Sequence, residues 1–529
     1  MKKLGLGIQD ISKLKENNYV YVDKTELIHK LITSGSYYFL SRPRRFGKSL
    51  LVNTMEKIFK GDKELFKDTW IYDKWNFDEN YPVIKINFAE IGLEELDLGK
   101  ALDRVLTNIG KSYNIILEEK TYSLKFRELI EKMSKENPVA ILIDEYDKPI
   151  IDYIESSKRE KAEENRDILR AFYSIVKGSD KYIKLFFMTG ISKFSKVSLF
   201  SELNNLTDIT FNDKYINITG YTKSEIEVNY FHYLEVLEKK FKYDRETLFD
   251  KIKLWYDGYS WNGEDFVYNP YSLLSFFNNN KFNNYWFQSG TPRFLTKLIR
   301  EKDVDIIKYE NSFEVDSNVF DSYDIDNIDS SIILFQAGYL TIKGVTVDPE
   351  YGSETYRLAY PNKEVKDSFY SHLAGEFTGL EKTSFFEIIK KLNNNLENNL
   401  FDKFIMDIQA IYSNIPQPIF IGERESYYHT VIFIILKLMK ANIIEAERMT
   451  NYGRVDAVIE TKSYIYVVEF KMNSVDEALK QIKEKKYYQP YLNDGREVIC
   501  VGVAFSKEER NIKEYKTVDV EELLGGLEE

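Results

Sequence analysis

The chain holds a single cysteine, Cys500, among 529 residues. No intramolecular disulfide can form. The apolar run Glu497-Val498-Ile499-Cys500-Val501 marks a buried structural thiol, the pattern of a protein kept in a reducing cytoplasm. Long hydrophobic runs are missing too. The most apolar stretch, Val431 to Met439, is interrupted by Lys437 and falls well short of the roughly 20 residues a membrane-crossing helix needs. Met1-Lys2-Lys3-Leu4-Gly5-Leu6 begins like a secretory leader, but Asp10 cuts its apolar part short. These absences give the expectation of a cytoplasmic protein with no membrane partner. An excess of positive charge is lacking as well. A net charge of −12 excludes indiscriminate nucleic-acid binding, so any nucleic-acid site has to be a local groove rather than a basic face. Ten acidic and two basic side chains crowd residues 301–330, a solvated acidic surface or linker. Internal repeats and low-complexity tracts are absent.

What is present is an ordinary globular composition, 43% hydrophobic and 30% charged, long enough for roughly two to four domains. Short apolar runs alternate with helical patterns over residues 36–190. Tyr37-Tyr38-Phe39-Leu40, Val83 to Phe88, Val139 to Ile143 and Ile183 to Met188 read as buried strands, which predicts an α/β parallel sheet with crossover helices. From about 220 to 390 the pattern is mainly helical and aromatic, with Asn269-Pro270 as a helix cap and first residue. From about 400 the reading is α+β: a helix around 425–440, two strands at 454–472, a helix at 474–488 and a strand at 497–505. The expected divisions are 1–220, 221–395 and 396–529.

Arg42-Pro43-Arg44-Arg45-Phe46-Gly47-Lys48-Ser49 joins a predicted strand to a predicted helix. That is the context of a phosphate-binding loop, in which a lysine reaches the β/γ phosphates and a hydroxyl reaches Mg2+. The usual first glycine is lacking, because Arg42 stands in its place. Taken alone, the loop reads equally as a basic strand-to-helix turn. Asp144-Glu145, at the tip of the apolar strand Ala140 to Ile143, shift the reading toward a nucleotide site. Asp144 suits the magnesium shell, and Glu145 suits the role of polarising a water. Arg45, Phe46, Gly47, Lys48, Ser49, Asp144 and Thr189 are the candidate nucleotide-binding residues, with Thr189 as a polar sensor. Lys193 and Lys196 follow in a loop open to phosphate contact, and Arg293 is one of many candidates for an arginine finger.

At the other end, Gly453-Arg454-Val455-Asp456 precedes Glu469-Phe470-Lys471. Glu469 and Lys471 are two apart in an extended strand, so both side chains share a face. The 13-residue step from Asp456 suits a short hairpin. Asp456 and Glu469 are candidate ligands for Mg2+, with Mn2+ an alternative. Lys471 is placed to orient the attacking water and stabilise charge on phosphorus. Glu425 is a further acidic candidate, and Gln481 and Tyr488, read as sharing one helix face, are candidate substrate contacts.

Residue for residue, the chain resembles a family joining an AAA-like ATPase domain to a PD-(D/E)xK-superfamily nuclease domain. The resemblance runs through Tyr21-Val22-Asp23-Lys24-Thr25, Phe39 to Ser49 and Asp144-Glu145-Tyr146-Asp147-Lys148-Pro149. It continues through Tyr256-Asp257-Gly258-Tyr259, Gly290-Thr291-Pro292, Tyr360-Pro361-Asn362, Gly453 to Asp456 and Glu469 to Lys471. It implies an AAA-like sheet, a mainly helical middle and a restriction-endonuclease-like core. It also implies that Lys48, Ser49, Asp144 and Glu145 serve ATP, while Asp456, Glu469 and Lys471 serve the nuclease. An ATP-controlled nuclease acting on nucleic acid, DNA in preference to RNA, is the leading expectation. The alternative is an ATP-driven switch whose nuclease-like domain only binds nucleic acid or protein. AAA-like domains often hydrolyse ATP at subunit interfaces, which puts a homo-oligomer among the expectations.

Overall fold

The computed structural model of the chain describes residues 2–153, 158–193, 203, 205–286, 306–310, 312–320, 329–380, 382–415, 425–439, 443–450, 453–472 and 474–525. The chain divides into two compact units, Met1–Leu298 with Ser312–Lys366, and Ile299–Asn311 with Asp367–Glu529. The segment 221–395 is shared between them.

In the first unit β1 (Tyr37–Ser41), β2 (Val83–Asn87), β3 (Val139–Asp144), β4 (Ile183–Gly190) and β5 (Thr207–Asp208) form a parallel sheet ordered β2-β3-β4-β1-β5. Unbroken apolar runs suit strands covered on both faces, and β1 and β3 are buried along their whole length. Alternate residues Tyr38 and Leu40, Ala140 and Leu142, Leu185 and Phe187 share one core with Leu51, Val52 and Met55 of the helix Lys48–Phe59. Strand order reverses around β1, and the C-terminal edge of an open α/β sheet at such a point is where ligands bind.

Beyond residue 220 the helices Phe231–Phe241, Arg245–Tyr256 and Pro270–Asn279 meet in a ring-rich core. Asn269 caps the last of these through Ser272 N–H with Pro270 in the first turn, as the sequence predicts. The mainly helical reading missed an antiparallel sheet, β6 (Phe313–Asp316), β7 (Thr341–Val347) and β8 (Glu354–Ala359), ordered β6-β8-β7. Its strands are half exposed, so no continuous apolar run announces them.

The second unit contains a mixed sheet ordered β13-β12-β11-β10-β9. Its strands are β9 (Ile443–Thr450), β10 (Gly453–Glu460), β11 (Tyr464–Met472), β12 (Glu497–Ser506) and β13 (Asn511–Asp519). β11 and β12 run parallel, and the helix Val475–Glu484 makes the crossover between them. Among the described residues no helix is long and apolar enough to cross a membrane.

Candidate nucleotide and metal-ion sites

β1 delivers the chain into the loop 42–47, and Gly47 caps the helix Lys48–Phe59 at φ +88°. A helix leaves its first four N–H groups without intrahelical acceptors, and here they open at the C-terminal edge of the sheet. Lys48 is buried, its ammonium donating to Arg42 O (2.9 Å) and Pro43 O (3.0 Å). Burial pulls its pKa down, while Asp144, Glu145 and Asp147 pull it up. Asp144 is 2% exposed, and burial raises its pKa against the opposing pull of the Ser49 hydroxyl and Lys48. The Ser49 hydroxyl therefore bonds the Asp144 carboxylate within the field of the Lys48 ammonium. Glu145 follows in the left-handed region at φ +51°, its N–H donating to Asp144 Oδ1 (3.0 Å). A non-glycine residue held there costs on the order of 1–3 kcal/mol, a strain typical of functional positions.

A cavity of about 480 Å³ opens beside the loop, a size suited to a small ligand. Arg45, Gly47, Lys48, Ser49 and Glu145 are among its lining residues. Gly5, Gly7, Ile8, Gln9, Tyr21, Val22, Lys24, Tyr221 and Tyr271 also line it. Cationic loop groups and aromatic rings share this lining, with the Arg45 guanidinium 4.9 Å from the Tyr271 ring centre, a combination that fits a nucleotide. Asp23 holds its segment in place by accepting from Thr25 N–H (2.9 Å) and Trp70 N–H (2.7 Å).

Other predicted residues make structural contacts. Phe46 also lines the cavity, but it is 1% exposed and packs edge-on against Tyr259 (4.7 Å between centroids) and Trp261 (5.7 Å), so it anchors the loop. Thr189 is fully buried, and its hydroxyl donates to Leu40 O across the β1–β4 ladder (2.8 Å). The hydroxyl proton is therefore taken up inside the sheet. Lys193 pairs with Asp208 (2.8 Å), and Lys196 and Arg293 lie outside the described residues. Asp147, which the sequence marked only as part of a motif, gathers Ile191 N–H, Ser192 N–H and the Ser192 hydroxyl (2.9, 2.7 and 2.7 Å).

The missing first glycine also has its explanation. Arg42 is completely buried, donating to Thr210 O (3.0 Å) and toward Tyr215 O and Ile216 O (both 3.4 Å), with its guanidinium 3.8 Å from the Trp261 ring centre. It ties the loop's base to the segment after β5. Arg42→Gly, which would restore the usual loop residue, is expected to lower stability by about 3 kcal/mol or more by stranding several buried carbonyls. Denaturant unfolding checks this, and an unchanged midpoint would contradict it.

In the second unit the β10–β11 ladder runs as far as Ala457 opposite Val468. Beyond it the side chains take over. Asp456 Oδ2 accepts Phe470 N–H (2.8 Å), and Glu469 Oε2 accepts Asp456 N–H (3.4 Å). Glu469 Oε1 accepts from the Lys471 ammonium (3.0 Å) and from the Gln481 side-chain amide. Four of the predicted residues thus converge. Glu469 is 1% exposed and its pKa is pushed up to about 7, by burial first and the neighbouring Asp456 charge second. Two carboxylates pressed together against mutual repulsion, beside one ammonium, form a donor set that fits a divalent cation. Among the described residues no group of three or more His, Cys, Asp or Glu side chains forms a larger cluster.

Glu425 begins the helix Glu425–Leu438, and its side chain lies outside the described residues. Tyr488 does not share a helix face with Gln481. The helix ends at Glu484, Lys486 turns at φ +49°, and Tyr488 falls into the hydrophobic core. Tyr487 is the tyrosine whose phenol lies against Gln481 and senses Glu469, Asp456 and Lys471. Only the break after Glu484 could have distinguished the two, and no glycine or proline marks it.

A buried acid in the first unit carries a pH signature. Burial pushes Glu364, 0% exposed, up to about 7 from its ordinary 4.5. Between those values the folded chain holds a proton the unfolded chain has lost, so stability falls as pH rises through the window. The loss is on the order of 3 kcal/mol and levels off above it. Glu364→Gln is expected to remove this slope, measured as unfolding temperature from pH 5 to 8. An identical slope in the variant would refute the assignment.

A family model for a predicted AAA-ATPase matches residues 5–200, and one for the PD-(D/E)XK nuclease superfamily matches residues 423–515. The chain therefore combines an AAA-ATPase-like domain with a nuclease-superfamily domain, in that order. A protein of Azotobacter chroococcum mcd 1, described as "Uncharacterized protein in vnfD 5'region", is 35% identical over 523 residues, covering 97% of this chain and 98% of that protein. The chain belongs to the same family as that protein. No solved structure matches it.

Proposed function

We propose that the chain is a cytoplasmic ATPase whose nucleotide state controls a magnesium-dependent nuclease acting on nucleic-acid phosphodiesters, with DNA favoured over RNA. The observation that carries this reading is the convergence of Asp456, Glu469, Lys471 and Gln481 in a chain that also gathers Lys48, Ser49, Asp144 and Glu145 at the edge of a parallel sheet. In the first unit Lys48 and the N–H groups of its helix turn hold the β and γ phosphates. Ser49 and Asp144 hold Mg2+, and Glu145 orients the attacking water. Glu145, held at φ +51°, lines the cavity.

In the second unit Asp456 and Glu469 hold Mg2+ or Mn2+, which supplies Lewis acidity and lowers the pKa of water. Lys471 orients that water and offsets charge building on phosphorus. Gln481 fixes the Glu469 carboxylate, and Tyr487 supports Gln481 from the core side. The purified chain, incubated with plasmid, linear, single-stranded and RNA substrates with Mg2+ and with or without ATP, is expected to cleave at least one of them. Cleavage of none, with ATP still turned over, would overturn the nuclease half and leave a binding switch.

A further inference from the structure

Two motifs conspicuous in the sequence, Tyr256-Asp257-Gly258-Tyr259 and Tyr360-Pro361-Asn362, stand outside both reaction centres. They meet at the start of the helix Lys363–Thr378. Asn362 accepts Val365 N–H (3.1 Å) and donates its amide to Asp257 O (2.8 Å). Between the motifs Gly258 sits at φ +93°, where a Cβ would lie 2.2 Å from Pro361 O, so only glycine lets the two close together. The Lys343 ammonium bonds Gly258 O (3.2 Å) and Pro361 O (3.0 Å), pinning that closure. One residue past the glycine, Tyr259 packs against Phe46 of the phosphate loop.

A second connection runs alongside. Glu364, in the first turn of the same helix, accepts the N–H groups of Tyr285 and Trp286 on one oxygen, the latter at 2.7 Å. The Trp286 indole N–H donates to Arg44 O within the phosphate loop (3.1 Å). Neighbouring Pro43 is packed so closely that a Cβ on Gly338 would lie 2.7 Å from it. Glu364 and Trp286 are both 0% exposed, so these bonds are shielded from water and neither partner can move alone without stranding a buried polar group.

We propose that this double bracket, Asn362–Asp257…Tyr259–Phe46 and Glu364–Trp286–Arg44, positions the phosphate loop and carries its nucleotide state into the helix Lys363–Thr378. Residues of that helix from Asp367 onward belong to the second unit, so the helix is the route by which ATP controls the nuclease. The inference rests on the ATPase reading and deepens it by naming the path of control. A ligand shifts a conformation only through contacts that differ between states. The loop peptides beside Arg44 supply such a contact, because Arg45 and Gly47 hold positive φ and their N–H groups are those a phosphate would order. Any reorientation there moves the Arg44 carbonyl, the acceptor of Trp286, and with it the N–H pair that fixes Glu364.

The test is amide hydrogen exchange of the full chain with and without MgATP, alongside a direct titration of nucleotide binding. In the parent, MgATP is expected to change exchange across residues 363–378 on the order of tenfold, within the ordinary range of allosteric coupling. Trp286→Phe should lose that change while still binding MgATP. Glu364→Gln, whose amide oxygen accepts the same two N–H bonds, should keep it. A Trp286→Phe chain that retains the change overturns the proposal, as does a parent that binds MgATP with no change in this helix. That parent measurement decides the matter even if Trp286→Phe fails to fold. A parent that does not bind MgATP overturns instead the ATPase reading, and the titration separates the two failures.

Discussion

Asp456→Asn is expected to lower nucleic-acid cleavage on the order of 10²–10³-fold or more while leaving the unfolding temperature nearly unchanged. The asparagine oxygen can still accept Phe470 N–H, so the local substitute for the β10–β11 ladder survives. What disappears is the negative charge that, with Glu469, makes the donor set suitable for a divalent cation. Relief of the repulsion on Glu469 should, if anything, stabilise the unit. Lys471→Ala is expected to fall in the same range, because it removes the ammonium beside the Glu469 carboxylate. Retained cleavage in Asp456→Asn would mean that these residues are not the reaction centre.

The second large effect lies in the first unit. Lys48→Ala is expected to reduce ATP turnover on the order of 10²–10³-fold and to weaken nucleotide binding, because it removes the buried ammonium at the start of the loop's helix, beside the cavity. Glu145→Gln separates the two steps. It should keep MgATP bound but slow hydrolysis by about 10²–10⁴-fold, since only the activation of water is lost. A titration and a phosphate-release assay on both variants check the pair. Glu145→Gln that turns over ATP at the parental rate would remove Glu145 from the chemistry.

Legibility in the sequence follows burial. β1 and β3 could be read because each is buried along its whole length, and β2 and β4 because single half-buried lysines, Lys85 and Lys184, interrupt otherwise largely apolar runs. β13 could not, because only Ile512 and Val518 of its nine residues are buried and the rest, Tyr515 apart, are polar or charged. The same holds for β6, an alternation of half-buried and exposed residues. At the sites, spacing alone brought Asp456, Glu469 and Lys471 together, since period-two alternation fixes which face each occupies. Spacing failed for Tyr488, because it assumed a helix that stops at Glu484. It also left Arg42 as a departure from the usual loop, when the guanidinium is a buried tether whose partners lie some 170 residues away in sequence. Thr189 shows the converse limit: a polar residue at a strand end can be spent on the neighbouring strand's carbonyl.

The most direct measurement of the central claim is the ratio of Mg2+-dependent cleavage rates with and without ATP, taken on the parent, Lys48→Ala and Asp456→Asn under identical conditions. The account predicts a ratio well away from one for the parent, a ratio of one with cleavage still detectable for Lys48→Ala, and no cleavage in either condition for Asp456→Asn. A parent whose cleavage is indifferent to ATP, or a Lys48→Ala chain that responds to ATP as the parent does, would contradict it.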